Sequence, residues 1–303
     1  MKVETSCLFH LEYHSQVVKE AHIGDEVWIQ EVINDDWLSD VLDKNPRLDA
    51  KQNMDWGPFT HRLFVSIEGT NNDEDERVKA AEQLIYQAIV LSRIVRPTPI
   101  PSSGAWVRTV YPESGEPYHF VRVDAGFRGR AYVTAPRHKL TLVEDDAKQM
   151  TELWGQHHQF FLDEPQYRRI VRALIYFDTA AHIWLLEPRH ILLHAALESL
   201  ICTNQPGRNK AEVTKRLPQL VSFVDESEAK AIYDLCCDFK HSAAPLVLSP
   251  TDDGSMDSED SERFKAAHLL WDALRAVFRR SIEEPEIAEA LCDVNKLRKK
   301  FPV

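Results

Sequence analysis

Residues 166–202 read QYRRIVRALIYFDTAAHIWLLEPRHILLHAALESLIC, and their spacing decides the character of the second half of the chain. Ile170, Ala173, Leu174, Phe177, Ala181, Trp184 and Leu185 recur at intervals of three and four, which sets them on one stripe of a helix predicted over Gln166–Leu186. The run Ile191–Ile201 is apolar nearly all round, the mark of a helix enclosed by others, inside a helix expected over Pro188–Cys202. The same periodicity predicts helices over Glu144–Phe161, Ala211–Val221, Ser227–His241, Glu262–Ser281 and Glu284–Lys300. Ser249–Glu262, crowded with Asp and Glu among Ser and Gly, reads as a solvated loop.

Toward the start the period changes. Phe9, Leu11 and Tyr13 alternate with polar neighbours, as do Leu63, Val65 and Ile67, so Met1–Tyr13 and His61–Glu68 read as half-buried strands. From the acidic cluster near Asp73, Val78, Ala81, Leu84, Ile85, Ala88, Ile89 and Leu91 fall at helical spacing until Pro97, Pro99 and Pro101 stop them. Trp106–Tyr111 and Tyr118–Val123 flank a Pro- and Gly-bearing turn and read as a hairpin, with Leu140 and Leu142 placed to close the sheet. The expected fold class is α+β, a mixed strand and helix domain over 1–143 followed by an all-α helical domain over 144–303.

The 303 residues carry 36 basic and 48 acidic side chains, a formal charge of −12, which argues against a general nucleic-acid coat but not against one local basic cleft. Hydrophobic residues make up 44%, too many for a disordered chain. No apolar run reaches the roughly 18 residues of a membrane span, and MKVETSCLFHLEYH lacks the basic and apolar regions of an export signal. Five dispersed cysteines suit a reducing cytoplasm, and a cytoplasmic protein away from membranes is expected. With ten glycines, no phosphate loop, no GxSxG elbow and no paired CxxC, most common enzyme classes find no foothold, and no cofactor is called for.

Several constellations carry two readings. His190, His194 and Glu198 share one helix side and could offer metal ligands, yet Ile191 stands where a zincin has Glu; the other reading is a buried, hydrogen-bonded polar stripe. Adjacent Cys236 and Cys237 would form a strained disulfide and read as free thiols packed as small hydrophobes. His157 and His158 read as surface residues. Trp106, Tyr111, Tyr118 and Phe120 interleave with Arg108 and Arg122, either as a base-stacking platform or as one core face and one solvated face. Lys296, Arg298, Lys299 and Lys300 suit a helix C-terminus.

The segment Tyr233-Asp-Leu-Cys-Cys-Asp-Phe-Lys-His241, with Ala195-Ala-Leu-Glu198-Ser-Leu-Ile201 and Asn209-Lys-Ala-Glu-Val-Thr-Lys-Arg216-Leu-Pro-Gln-Leu220 before it and Phe264–Arg280 after it, resembles a HEPN domain of the ApeA-like kind. The resemblance spans roughly residues 165–283. It implies a HEPN-like helical bundle that pairs as a homodimer, with two motif-bearing helices lining a metal-independent RNA-cleaving cleft, in a prokaryotic toxin or antiphage-defence system. The family motif is Arg, four to six residues, then His, with a polar residue after the Arg. His241 falls on the histidine, Cys236 on the arginine and Cys237 on its polar neighbour.

That departure has chemical weight. Cleavage needs the 2′-hydroxyl deprotonated, the leaving 5′-oxygen protonated and the charge on phosphorus stabilised. A histidine moves protons near neutral pH, whereas a neutral thiol cannot supply the fixed charge and paired donors of a guanidinium. Lys240 is adjacent but turned about 100° from His241 on a helix. Arg263-Phe-Lys-Ala-Ala-His268 has the spacing of the motif at another place, as an alternative pair, and Arg263 alone could serve His241. The candidate catalytic residues are therefore His241, Lys240, Arg263 and His268, with no metal. Two readings stand at this point: a HEPN-like protein acting on RNA through a degenerate ribonuclease site, or a non-catalytic dimerisation module whose N-terminal domain senses a ligand or a protein partner.

Overall fold

The computed structural model describes residues 2–9, 11, 17–33, 36–44, 59–68, 74–96, 105–111, 118–123, 142–183, 186–203, 205–241 and 258–303. Among these, six strands and ten helices run in chain order: β1 Lys2–Phe9, β2 Glu20–Gly24, β3 Val27–Glu31, α1 Asp36–Lys44, β4 His61–Glu68, α2 Glu74–Val95, β5 Ala105–Tyr111, β6 Tyr118–Val123, α3 Glu144–Leu162, α4 Glu164–Ala181, α5 Leu186–Ile201, α6 Asn209–Leu220, α7 Glu226–His241, α8 Ser258–Glu283, α9 Pro285–Cys292 and α10 Val294–Lys300. Two compact units result, dividing between Gly155 and Gln156 within α3.

The first unit is built on a six-stranded antiparallel sheet of order β2-β3-β4-β1-β5-β6. The register pairs Cys7 with Leu63 and Leu63 with Ile29, so these buried residues share one sheet face with Val65 and Val27. Leu8 lies on the other face and packs with Val32, Leu38, Val41 and Phe59, which seats α1 there. Beside it Arg62 spans the rings of Trp37 and Phe64, at 4.1 and 4.6 Å, and donates from Nε to Gln30 Oε1 at 2.9 Å. α2 packs on β1, β3 and β4, and every residue of its predicted stripe is buried.

The chain corrects the sequence reading in several places. β2, β3 and α1 were not expected, because each offers too few apolar repeats to declare a period. Leu142 adds no strand: its carbonyl accepts from the Val18 amide at 3.0 Å and Val143 forms an isolated bridge with Val17. Leu140 and the hairpin turn lie outside the described residues, although β5 and β6 do pair antiparallel. Their register sets Trp106 opposite Arg122 and Arg108 opposite Phe120.

The second unit is helical. α5 touches α4, α6, α7, α8 and α9, the central place its all-round apolarity predicts. Phe177 of α4 meets Trp271 and Phe278 of α8 at 4.5 and 5.3 Å between ring centroids. α4 stops at Ala181 rather than Leu186, and Trp184 and Leu185 lie outside the described residues. Ser258–Glu262 open α8 rather than ending a loop. The last predicted helix is two, because Asp293 leaves the helical backbone and caps α10, accepting from the amides of Asn295 and Lys296 at 2.7 and 3.1 Å. A capping box starts α7: the Asp225 carboxylate accepts from the Glu228 amide and Glu228 accepts from the Asp225 amide, both at 2.8 Å. His157 is fully buried against Phe161 instead of lying on the surface. No helix among the described residues is long and apolar enough to cross a membrane.

The carboxyl end of α5 is held by two guanidiniums. Arg169 donates to the carbonyls of Ser199, Leu200 and Cys202 at 2.8, 3.0 and 2.5 Å. Arg216 donates to Ile201 O at 2.6 Å and to Phe301 O at 2.9 Å. Glu212, 3.1 Å from Arg216 and as deeply buried, balances the charge and accepts from the Thr203 amide at 2.8 Å. Helix C-terminal carbonyls have no intrahelical donors and carry partial negative charge, so cations answer both needs.

Two stability outcomes follow from these contacts. Arg216→Met strands a buried carboxylate and is expected to cost about 3–5 kcal/mol, while adding Glu212→Leu recovers part of the loss; urea unfolding of the four species tests this, and a single substitution costing no more than a surface change would contradict it. In the first unit a Cβ on Gly24 would collide with the buried indole of Trp154. Gly24→Ala should therefore lower stability by about 1–3 kcal/mol, and unchanged thermal unfolding would refute that packing.

Candidate functional site

α7 carries Tyr233, Cys236, Cys237 and Lys240 at i, i+3, i+4 and i+7, which gathers them on one face. That face looks onto α5, where His190, His194 and Glu198 follow one another at single-turn spacing. The Tyr233 ring meets the His194 ring edge-on at 5.1 Å, and the Phe239 ring meets that of His190 at 5.7 Å. The sequence reading found the α5 stripe and the α7 segment separately; the fold joins them in one seam.

The three α5 residues do not converge as metal ligands. His190 donates from Nε2 to the Ile232 carbonyl at 3.2 Å. His194 Nδ1 stands 3.6 Å from Glu198 Oε2, and Glu198 Oε1 accepts from Asn209 Nδ2 at 2.9 Å. Among the described residues no three His, Cys, Asp or Glu side chains are gathered as a metal ion requires. What remains is a buried polar stripe in which His194 faces the Glu198 carboxylate, at a distance longer than a hydrogen bond, and His190 Nδ1 has no hydrogen-bond partner among those residues.

Electrostatics give each group a state. Burial pushes the His190 imidazole down to about 3, helped by Lys240 and His194, so it is neutral at physiological pH. Burial raises the Cys236 thiol to about 11 despite the opposing Lys240 ammonium. Tyr233 is driven up to about 12 by burial and by Cys237 and Glu198. Burial works to raise the Glu198 carboxyl, yet His194, Asn209 and Lys240 together hold it below the usual range, so it is an anion. The seam thus presents a carboxylate, neutral imidazole and a cation, with a protonated thiol beneath.

An open cleft of about 350 Å³ begins at the Tyr233 end, lined by Gln205, Pro206, Gly207, Asn209, Lys210 and Tyr233. Gly207 takes a left-handed φ of 74° in the turn that forms its wall, a backbone glycine adopts without penalty. Lys210 pairs with Asp234 on the rim.

The four residues singled out from sequence stand on two helices, α7 and α8. Lys240 and His241 are exposed at the end of α7, but only Lys240 lies one turn beyond Cys236 and acts on it. Arg263 is half-buried on α8, where the following Phe264 and Ala267 pack with Leu235 and Phe239 of α7. His268 faces Asp272 and the buried Arg189; burial lowers its pKa. Cys236 is fully buried and none of the five cysteines is in a disulfide. Tyr233 and Asn209 were missed, although the spacing of Tyr233 to Lys240 was readable as a helix face. Comparison of the chain with protein-family models, with curated proteins and with solved structures found no match.

The state of His190 has a measurable consequence. An unfolded imidazole titrates near about 6.5, far above the folded value, so the unfolded chain binds the proton first as pH falls. The stability that His190 contributes is complete above the unfolded value and drains away toward about 3. His190→Gln should flatten the dependence of urea stability on pH below that point, whatever its effect at neutral pH; an unaltered slope would show that His190 is not held neutral.

Proposed function

We propose that this chain is a HEPN-like, RNA-associated protein of a prokaryotic toxin or antiphage-defence system, acting as a homodimer, with a degenerate metal-independent ribonuclease site. The resemblance of the segments 195–201, 209–220, 233–241 and 264–280 supplies the family. The observation that carries the degenerate reading is Cys236, 0% exposed and protonated where an active member needs a permanent cation. A buried neutral thiol offers a phosphorane neither charge nor paired donors, and losing one such preorganised donor typically costs about 100- to 1000-fold in rate.

His241 is exposed at the end of α7, without a guanidinium on its helix at the motif spacing. Lys240 is the nearest replacement in sequence, and its direction toward Cys236 and Glu198 takes it off the histidine's face. Association with RNA then outlasts efficient cleavage, because phosphate contact needs only a cation whereas turnover needs charge placed at the reacting phosphorus.

Purified protein incubated with structured RNA in chelator is expected to retard the RNA while leaving it nearly intact, and His241→Ala should change little. Robust cleavage abolished by that substitution would overturn the degenerate site, and absence of any RNA association would overturn the functional reading.

A further inference from the structure

Tyr233 and Lys240 stand on one face of α7, seven residues and therefore about 10 Å of helix rise apart. The Glu198 carboxylate interacts electrostatically with both, and the buried His194 stands 3.6 Å from it with its ring against that of Tyr233. At the Tyr233 end the cleft of about 350 Å³ opens beside Pro206 and the Asn209 amide, which also anchors Glu198. At the other end the exposed Lys240 supplies positive charge.

This is an aromatic ring beside a small cleft, an anionic hydrogen-bond acceptor in reach of it and a cation about 10 Å of helix rise away. We infer that the α5–α7 seam is a single-stranded RNA subsite, in which one base enters the cleft against Tyr233, the ribose hydroxyl meets Glu198 and the neighbouring phosphate meets Lys240. The inference rests on the RNA-associated reading above and moves the contact surface from His241 to a different face of the same helix. Stacking on an aromatic ring is tolerant of sequence because every base has a π-face, and a single ammonium recognises phosphate as a point charge. The ribose hydroxyl both donates and accepts, so a carboxylate favours RNA over DNA at this position. The acidic chain as a whole repels nucleic acid, and Lys210 is paired with Asp234, so phosphate contact in this seam falls to Lys240.

The test is fluorescence anisotropy with a labelled single-stranded RNA, its DNA counterpart and uridine monophosphate as competitor. Tyr233→Leu is expected to weaken RNA binding by about 5- to 150-fold. Lys240→Gln should weaken it and reduce the slope of log affinity against log salt by about 1, while Lys299→Gln on α10 leaves both unchanged. RNA should bind more tightly than the DNA strand, and far more tightly than the mononucleotide. Because Tyr233→Leu can also disturb packing, wild-type protein is acetylated with and without RNA, and Lys240 is expected to be protected. RNA binding that ignores both substitutions and leaves Lys240 unprotected would overturn the subsite while keeping the RNA reading; equal affinity for the mononucleotide would overturn the strand. No RNA binding by the wild type would remove both.

Discussion

The closed carboxyl end of α5 is the constraint on which the helical unit depends. An enclosed helix must still satisfy its last carbonyls, and water cannot reach them without opening the core. Arg169 from α4 and Arg216 from α6 meet Ser199, Leu200, Ile201 and Cys202, and the second guanidinium continues to the carbonyl of Phe301 near the end of the chain. Replacing such a pair with apolar groups of matching shape can be neutral, whereas removing one partner leaves a bare charge. The network also fixes the direction in which the chain leaves α5 through Thr203 and re-enters as α6.

That exit positions the site. Asn209, the first residue of α6, reaches back to Glu198, and Glu198 stands beside His194. The capping box at Asp225 and Glu228 then starts α7 so that Tyr233, Cys236, Cys237 and Lys240 turn toward α5 while His241 turns away. Arg280 closes the far end of α6 through the Leu220 carbonyl at 2.7 Å. The seam is thus a product of helix ends made fast, with Leu186, Leu235 and Phe239 packed in one apolar cluster beside it.

Long periodic segments were legible in the sequence. The α2 stripe from Val78 to Leu91, the enclosed α5 and the β1, β4, β5 and β6 strands all announced themselves by period. Short elements did not: β2 and β3 hold five residues each, too few to separate alternation from chance. A single Asp293 splits the final helix, a local capping effect that outweighs continuous periodicity. The charged groups were the hardest to read. Nothing in the spacing of Arg169, Glu212 and Arg216 announces the carbonyls and the Thr203 amide that the fold brings to them, and His157 looks exposed until packing covers it. Of the site, the α5 stripe and the α7 segment could be named, but their meeting depends on tertiary geometry that spacing along one helix does not contain.

Crosslinking a 4-thiouridine-substituted single-stranded RNA to the wild-type protein in chelator, followed by mapping of the modified peptide and sizing of the attached RNA, tests the account most directly. Crosslinks on the segment from Tyr233 to Lys240, carrying full-length RNA, are predicted. Crosslinks elsewhere, or attached RNA cut to fragments, would contradict it.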